Sequence, residues 1–110
     1  MKPAEFKKLL ERDKGGCLCC GEDVAVAPQH RANRGMGGAS KDSYLDRPSN
    51  LIVLCSRMNG LIESNAFWAD EARNYGWKVS KWETPKEVPV FDAKDGCWYL
   101  LDDDYRRYEA

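Results

Sequence analysis

Residues 48–76 read PSNLIVLCSRMNGLIESNAFWADEARNYG, and the change of pattern inside this stretch decides the fold class. Leu51-Ile52-Val53-Leu54 is a continuous apolar run of strand length, introduced by Pro48-Ser49-Asn50. From Ser56 onward the period changes. Leu61, Ile62, Ala66, Ala69, Ala72 and Arg73 are spaced for a helix that ends at Gly76. Ser64 could also cap a new helix with Phe67-Trp68 in its first turns, so the stretch predicts either one helix or two broken near Gly60.

Upstream, residues 31–50 are rich in Gly, Ser, Asn and Asp, a loop of about twenty residues, longer than a mere connector requires. Before it, Val24-Ala25-Val26-Ala27 reads as a short strand stopped at Pro28. GGCLCCGED, residues 15–23, is a Gly/Cys turn, and Phe6, Leu9 and Leu10 suit a short amphipathic helix ending before Gly15-Gly16. Downstream, Trp77-Lys78-Val79, Val88-Pro89-Val90-Phe91 and Cys97-Trp98-Tyr99-Leu100-Leu101 read as strands. The last two flank a hairpin connection containing Asp95-Gly96, and Asp102-Asp103-Asp104 starts a solvated tail. The pattern predicts one small α+β domain over 1–110, with a core at about 15–76 and a β appendage at about 77–104.

A chain of 110 residues with 43% hydrophobic and 32% charged side chains has room for one domain, which excludes separate catalytic and substrate domains. No apolar run reaches membrane-span length, the mean hydropathy is −0.66, and no signal-peptide core opens the chain; a soluble, cytoplasmic protein is expected. The net charge of −1 hides an uneven distribution. Residues 26–60 carry five basic side chains (Arg31, Arg34, Lys41, Arg47, Arg57) against two acidic, and residues 86–110 carry four against seven. A basic middle points to a polyanion, although a solvated mixed surface reads the same way.

Five cysteines is a high count for this length, and disulfides would need a secretory route. Cys17-x-x-Cys20-Gly21 has the spacing of a zinc knuckle, whose short loop lets two thiolates reach one tetrahedral ion. Cys55 adds a third sulfur, but Met58 stands three residues later where a fourth would follow, and a thioether is a poor zinc ligand. Cys19 or Cys97 could substitute. A structural zinc and a cluster of small buried thiols are the two readings of this pattern. No βαβ pattern supports a redox motif. Of the tryptophans, Trp68 and Trp77 suit the core, whereas Trp82, among Lys78, Lys81 and Lys86, is the one placed for base stacking.

The single histidine, His30, stands where the first strand enters the long loop, beside Arg31 and Arg34. Several motifs occur in a fixed order: Cys17-x-x-Cys20-Gly21, Gln29-His30-Arg31 with Arg34-Gly35-Met36-Gly37-Gly38, Ser49 to Cys55, and Asn59 to Asn65. Gly76-Trp77-Lys78-Val79, then Glu83 to Val90, then Trp98 to Asp104 continue the series. Together they resemble the HNH nucleases with a ββα-metal core, and more closely the small HNH-type proteins of actinobacterial phages, over roughly residues 15 to 105.

The resemblance implies a metal-dependent endonuclease that hydrolyses DNA in the cytoplasm of a bacterial host. His30 matches the general base, a task suited to an imidazole. Asn50 matches the residue that tethers the two halves of the motif and orients the base. Asn59 and Gln29 match the ligands of a catalytic divalent metal (Mg, Mn or Ni), and Cys17, Cys20 and Cys55 match the structural zinc site. Arg31, Arg34 and Arg57 would contact nucleic acid. Two departures from the family pattern are plain: Gln29 and Asn59 are neutral amides, and Met58 replaces a zinc cysteine. They motivate an alternative, an HNH scaffold that binds DNA or a host protein without cleaving.

Overall fold

The structure, a computed structural model, describes residues 1–33 and 43–110. Arg34, assigned to nucleic acid by the resemblance, lies outside the described residues. Those residues form an α+β fold with three α-helices and two small antiparallel sheets. Helix α1 (Pro3–Arg12) precedes strand β1 (Val26–His30). Two 3₁₀ turns, Ser43–Asp46 and Pro48–Asn50, lead into β2 (Leu51–Cys55), which runs without a break into α2 (Ser56–Ser64). Helix α3 (Ala66–Asn74) and a third 3₁₀ turn (Pro85–Glu87) precede β3 (Val90–Asp92), β4 (Cys97–Leu101) and β5 (Arg107–Glu109). No helix among the described residues is long and apolar enough to cross a membrane.

β1 and β2 pair antiparallel in a register that runs from Val26 opposite Cys55 to His30 opposite Leu51. Successive side chains alternate across this ladder, and its two faces pack against different elements. Leu51 and Val53 lie against Leu9 of α1, backed by Phe6, Leu10, Val26 and Tyr105. Ile52 and Leu54 face the larger core with Met58 and Ile62 of α2, Ala72 of α3, Trp77, Val90 and Leu101. Each fully buried aliphatic side chain contributes about 1.5–3 kcal/mol. At the end of α1 the Asp13 carboxylate takes both Nε (2.7 Å) and an Nη (3.0 Å) of Arg12, and also accepts the Val53 N–H at 2.9 Å.

Four expectations from the sequence need correction. The first strand does not stop at Pro28 but runs through it. Val53, opposite Pro28, turns its N–H to Asp13 and its carbonyl to the Leu18 N–H (3.1 Å), so this pair exchanges no ladder bonds and the missing proline N–H costs nothing. The helical stretch is two helices, broken at Asn65 rather than near Gly60. Asn65 leaves the helical region and caps α3 by accepting the Trp68 N–H at 3.2 Å, while Ser64 donates to the Gly60 carbonyl instead.

Trp77-Lys78-Val79 is not a strand, because the Lys78 and Val79 N–H groups go to the Ala72 and Arg31 carbonyls. Trp77 is core, donating Nε1–H to the Phe91 carbonyl at 2.8 Å and stacking on Tyr75. Finally, the aspartates at 102–104 form a turn rather than a tail: Asp102 accepts the N–H groups of Asp104 and Arg106, and β5 returns to pair with β4.

The hairpin between β3 and β4 forms as its turn residues suggest, with Asp92 opposite Cys97 and Gly96 at φ +70°. Buried Asp92 anchors it through Arg107 (2.7 Å) and Lys94 (3.1 Å), and Lys94 also donates to the Gly16 carbonyl, tying this sheet to the cysteine turn. Gly76 is required where α3 ends. Its φ is +74°, and an added Cβ would lie 2.0 Å from the Pro89 carbonyl oxygen.

Candidate functional site

One end of the β1–β2 ladder carries the cysteines. The turn at 17–20 is closed by the Gly21 N–H donating to the Cys17 carbonyl (2.8 Å), and is held to the core by Leu18, whose carbonyl accepts the Ala93 N–H. Gly21 takes φ +80° to complete that closure. Cys55 caps α2, its sulfur accepting the Met58 N–H at 3.4 Å. The Sγ atoms of Cys17, Cys20 and Cys55 all lie within 4.8 Å of one another, and those of Cys20 and Cys55 are 3.6 Å apart. Such an arrangement could hold a metal ion.

The protonation preferences of these thiols differ with their surroundings. Burial pushes the Cys17 thiol up to about 11, against backbone hydrogen bonds at Cys55, Cys20 and Cys19 that favour the thiolate. Burial also works against the exposed Cys20 thiolate, yet hydrogen bonds with the Glu22 backbone and the Cys55 and Cys17 side chains, together with the Arg57 charge, lower its pKa overall. Cys19 is pushed up to about 12 by burial and by its three sulfur neighbours. The suggested substitutes for a fourth cysteine do not join the cluster. Cys19 packs against the apolar core and Cys97 donates to the Asp95 carbonyl on β4. Met58 is itself a core side chain. Arg57 is exposed on the first turn of α2, beside the cysteines.

The other end of the ladder carries His30. Its Nε2 lies 2.8 Å from Asp46 Oδ1, with the two side chains 44% and 68% exposed. They line a cleft of about 440 Å³ with Pro28, Leu51, Glu5 and Met1. Asn50 is buried behind it. Its Oδ1 accepts the Ala32 N–H at 2.8 Å while its Nδ2 donates to the Ala32 (3.2 Å) and Leu45 (2.8 Å) carbonyls, so one side chain joins the chain leaving β1 to the chain approaching β2. Asp46 escapes sequence reasoning because nothing in its spacing separates it from the other polar residues of a long loop.

Arg31 requires correction as a nucleic-acid contact. It is 0% exposed, and its guanidinium donates to four backbone carbonyls, those of Gly76, Ser49, Pro85 and Val88, at 2.7–3.0 Å. Burial, then the nearby Arg12 charge, lowers its pKa to about 10. Its role is to hold the segment after α3 against the turn that precedes β2.

Gln29 and Asn59 stand apart from His30. Gln29 pairs with Ile52, so it belongs to the ladder face that meets α2, whereas His30 shares the face of Leu51. Asn59 Oδ1 is shut off from solvent with no hydrogen-bond partner among the described residues. A buried amide oxygen without a donor costs about 1–3 kcal/mol, and a cation is one species that would satisfy it. Comparison of the chain with protein-family models, with curated proteins and with solved structures yields no match in any of the three.

Proposed function

We propose that the chain is an HNH-type hydrolase of DNA phosphodiester bonds, built on a ββα-metal unit formed by β1, β2 and α2, with His30 as general base. The observation that carries this reading is the His30–Asp46 pair, held at 2.8 Å in an open cleft at the end of a strand. With Nε2–H donated to the carboxylate, the lone pair of Nδ1 takes the proton of the water that attacks phosphorus. Asp46 fixes the ring and stabilises the imidazolium that forms. Asn50 keeps the loop that bears Asp46 closed onto β1. A positioned base of this kind contributes about 10²–10⁴-fold.

Gln29 and Asn59 are the residues to which the resemblance assigns a divalent ion, which would supply charge stabilisation to the leaving oxygen. Because Gln29 lies on the ladder face opposite His30, the reading rests on His30 and Asp46 rather than on that ion. The three thiols suit a structural zinc, whose task is to staple the cysteine turn to the start of α2. The resemblance further makes this a bacteriophage protein acting in a bacterial cytoplasm.

Incubation with supercoiled plasmid and Mg²⁺, Mn²⁺ or Ni²⁺ is expected to give nicked product, with His30→Ala lowering the rate by about 10²-fold or more. No product with any of the three ions overturns the hydrolytic reading. The neutral pair Gln29 and Asn59 then favours the second one, a scaffold that binds DNA or a host protein without cleaving.

A further inference from the structure

A second groove, of about 550 Å³, lies between helices α2 and α3 and the segment that follows Trp77. Among the described residues four cations line it, Arg31, Arg73, Lys78 and Lys81, against the single carboxylate of Glu63. The whole chain, by contrast, has 17 basic and 18 acidic side chains. Lys78 forms part of the floor, its ammonium held by the His30 carbonyl (3.0 Å), Asn33 Oδ1 (3.3 Å) and Glu63 (3.3 Å). Arg31 lies buried beneath the groove, its guanidinium spent on four backbone carbonyls, so the cations open to a ligand are Lys81 and Arg73. Arg73 pairs with Asp70 at the edge.

Beside the groove stands Trp82, 85% exposed, with the Lys81 ammonium 4.9 Å from its ring centre. The turn that carries it is locked: Ser80 Oγ accepts the Trp82 N–H, the Ser80 N–H goes to the Glu83 carboxylate, and the Glu83 N–H returns to the Ser80 carbonyl. An indole held in solvent on a fixed turn forgoes the burial that Trp77 obtains, and none of the described residues covers it. A ring face beside a row of cations suits a nucleobase whose phosphates follow the cations.

We infer that this groove binds a single-stranded polynucleotide, with a base stacked on Trp82 and phosphates contacted by Lys81 and Arg73. A single strand is specified because a paired base offers no free face to an indole. The inference does not rest on hydrolysis at His30, since the groove would bind whether or not the cleft reacts.

Fluorescence anisotropy with labelled fifteen-residue oligo-dT, oligo-U and a duplex of equal length tests it. The protein is expected to bind at least one single strand about tenfold more tightly than the duplex, and Trp82→Ala to lose about tenfold in that affinity while Trp82→Phe retains most of it. Arg73→Ala and Lys81→Ala should each flatten the salt dependence by about 0.7 in log–log slope, one phosphate contact's worth. Trp82 is exposed, so its variants test binding in a folded protein, checked by circular dichroism. Binding to neither single strand, a preference for duplex, or wild-type affinity in Trp82→Ala overturns the inference. Loss of strand binding with plasmid still nicked, or strand binding retained with no nicking, separates failure of this groove from failure of the hydrolytic reading.

Discussion

The two ends of the β1–β2 ladder, four residues apart in register, have been put to opposite uses. Where Val26 meets Cys55, the chain covers two of its three clustered thiols: Cys17 and Cys55 are buried, Cys20 is exposed, and burial opposes the Cys17 thiolate. Where His30 meets Leu51, the polar side chains stay open, an imidazole and a carboxylate both exposed in a cleft. A buried site repays its desolvation only when fully partnered, which suits a permanent structural ion. An open site can exchange partners, which chemistry requires. The contrast predicts that damage at the cysteine end is paid in stability and damage at the histidine end in rate.

The largest effect should come from the cysteines. Purified protein is expected to contain about one zinc per chain, held by the three clustered thiolates, and a chelator should remove on the order of 5 kcal/mol of stability. That is a large part of the roughly 5–15 kcal/mol a small domain possesses, so Tm should fall by 20 °C or more, by the ~4–8 °C per kcal/mol expected at this size. Cys55→Ser should reproduce the loss, and chelator should then add nothing further. Zinc-free protein with an unchanged Tm would break the comparison, because the cysteine end would then be ordinary core.

Arg31 comes next, adjacent to His30 and its opposite in every physical respect. Replacing a buried charge with an apolar side chain is often tolerated, but here four carbonyls would lose their donors together. Arg31→Met should therefore cost about 3–4 kcal/mol in urea unfolding. A variant that kept full stability but lost DNA affinity would instead restore Arg31 to the role expected from sequence.

Arg31 also shows where sequence reading runs out. A charge in a string of letters looks the same in solvent or in a cage of carbonyls, and the cage is assembled from residues 49, 76, 85 and 88, each remote in the chain. The elements that were legible rest on local physics: α1 from its apolar spacing, β2 from its apolar run, the β3–β4 hairpin from Asp95-Gly96, and the cysteine cluster from Cys17-x-x-Cys20. Those that were missed depend on partners. Pro28 sits within a strand because its neighbour's hydrogen bonds point elsewhere, and β5 exists because Asp102 organises a turn rather than repelling its neighbours. At the candidate site, His30 was visible as a lone residue type at a strand end, whereas Asp46 acquires its meaning only when the loop returns to it.

The smallest effect should be on the stability of His30→Ala, and its smallness is the test. The His30–Asp46 pair is exposed on both sides, and an exposed pair of this kind is worth about 0–1 kcal/mol once screening and side-chain entropy are included. His30 also stands on an otherwise intact strand, and its backbone carbonyl, which accepts from Lys78, survives the substitution. The unfolding free energy of His30→Ala from urea titration should therefore lie within about 0.5 kcal/mol of wild type, and that of Asp46→Asn likewise. Asp46→Asn should nevertheless slow plasmid nicking, though less than His30→Ala, because it removes the orienting carboxylate and leaves the base. Unchanged stability with lost nicking would sharpen the division between the two ends of the ladder. A loss of 2 kcal/mol or more from either substitution would erase it, making the histidine end one more part of the scaffold.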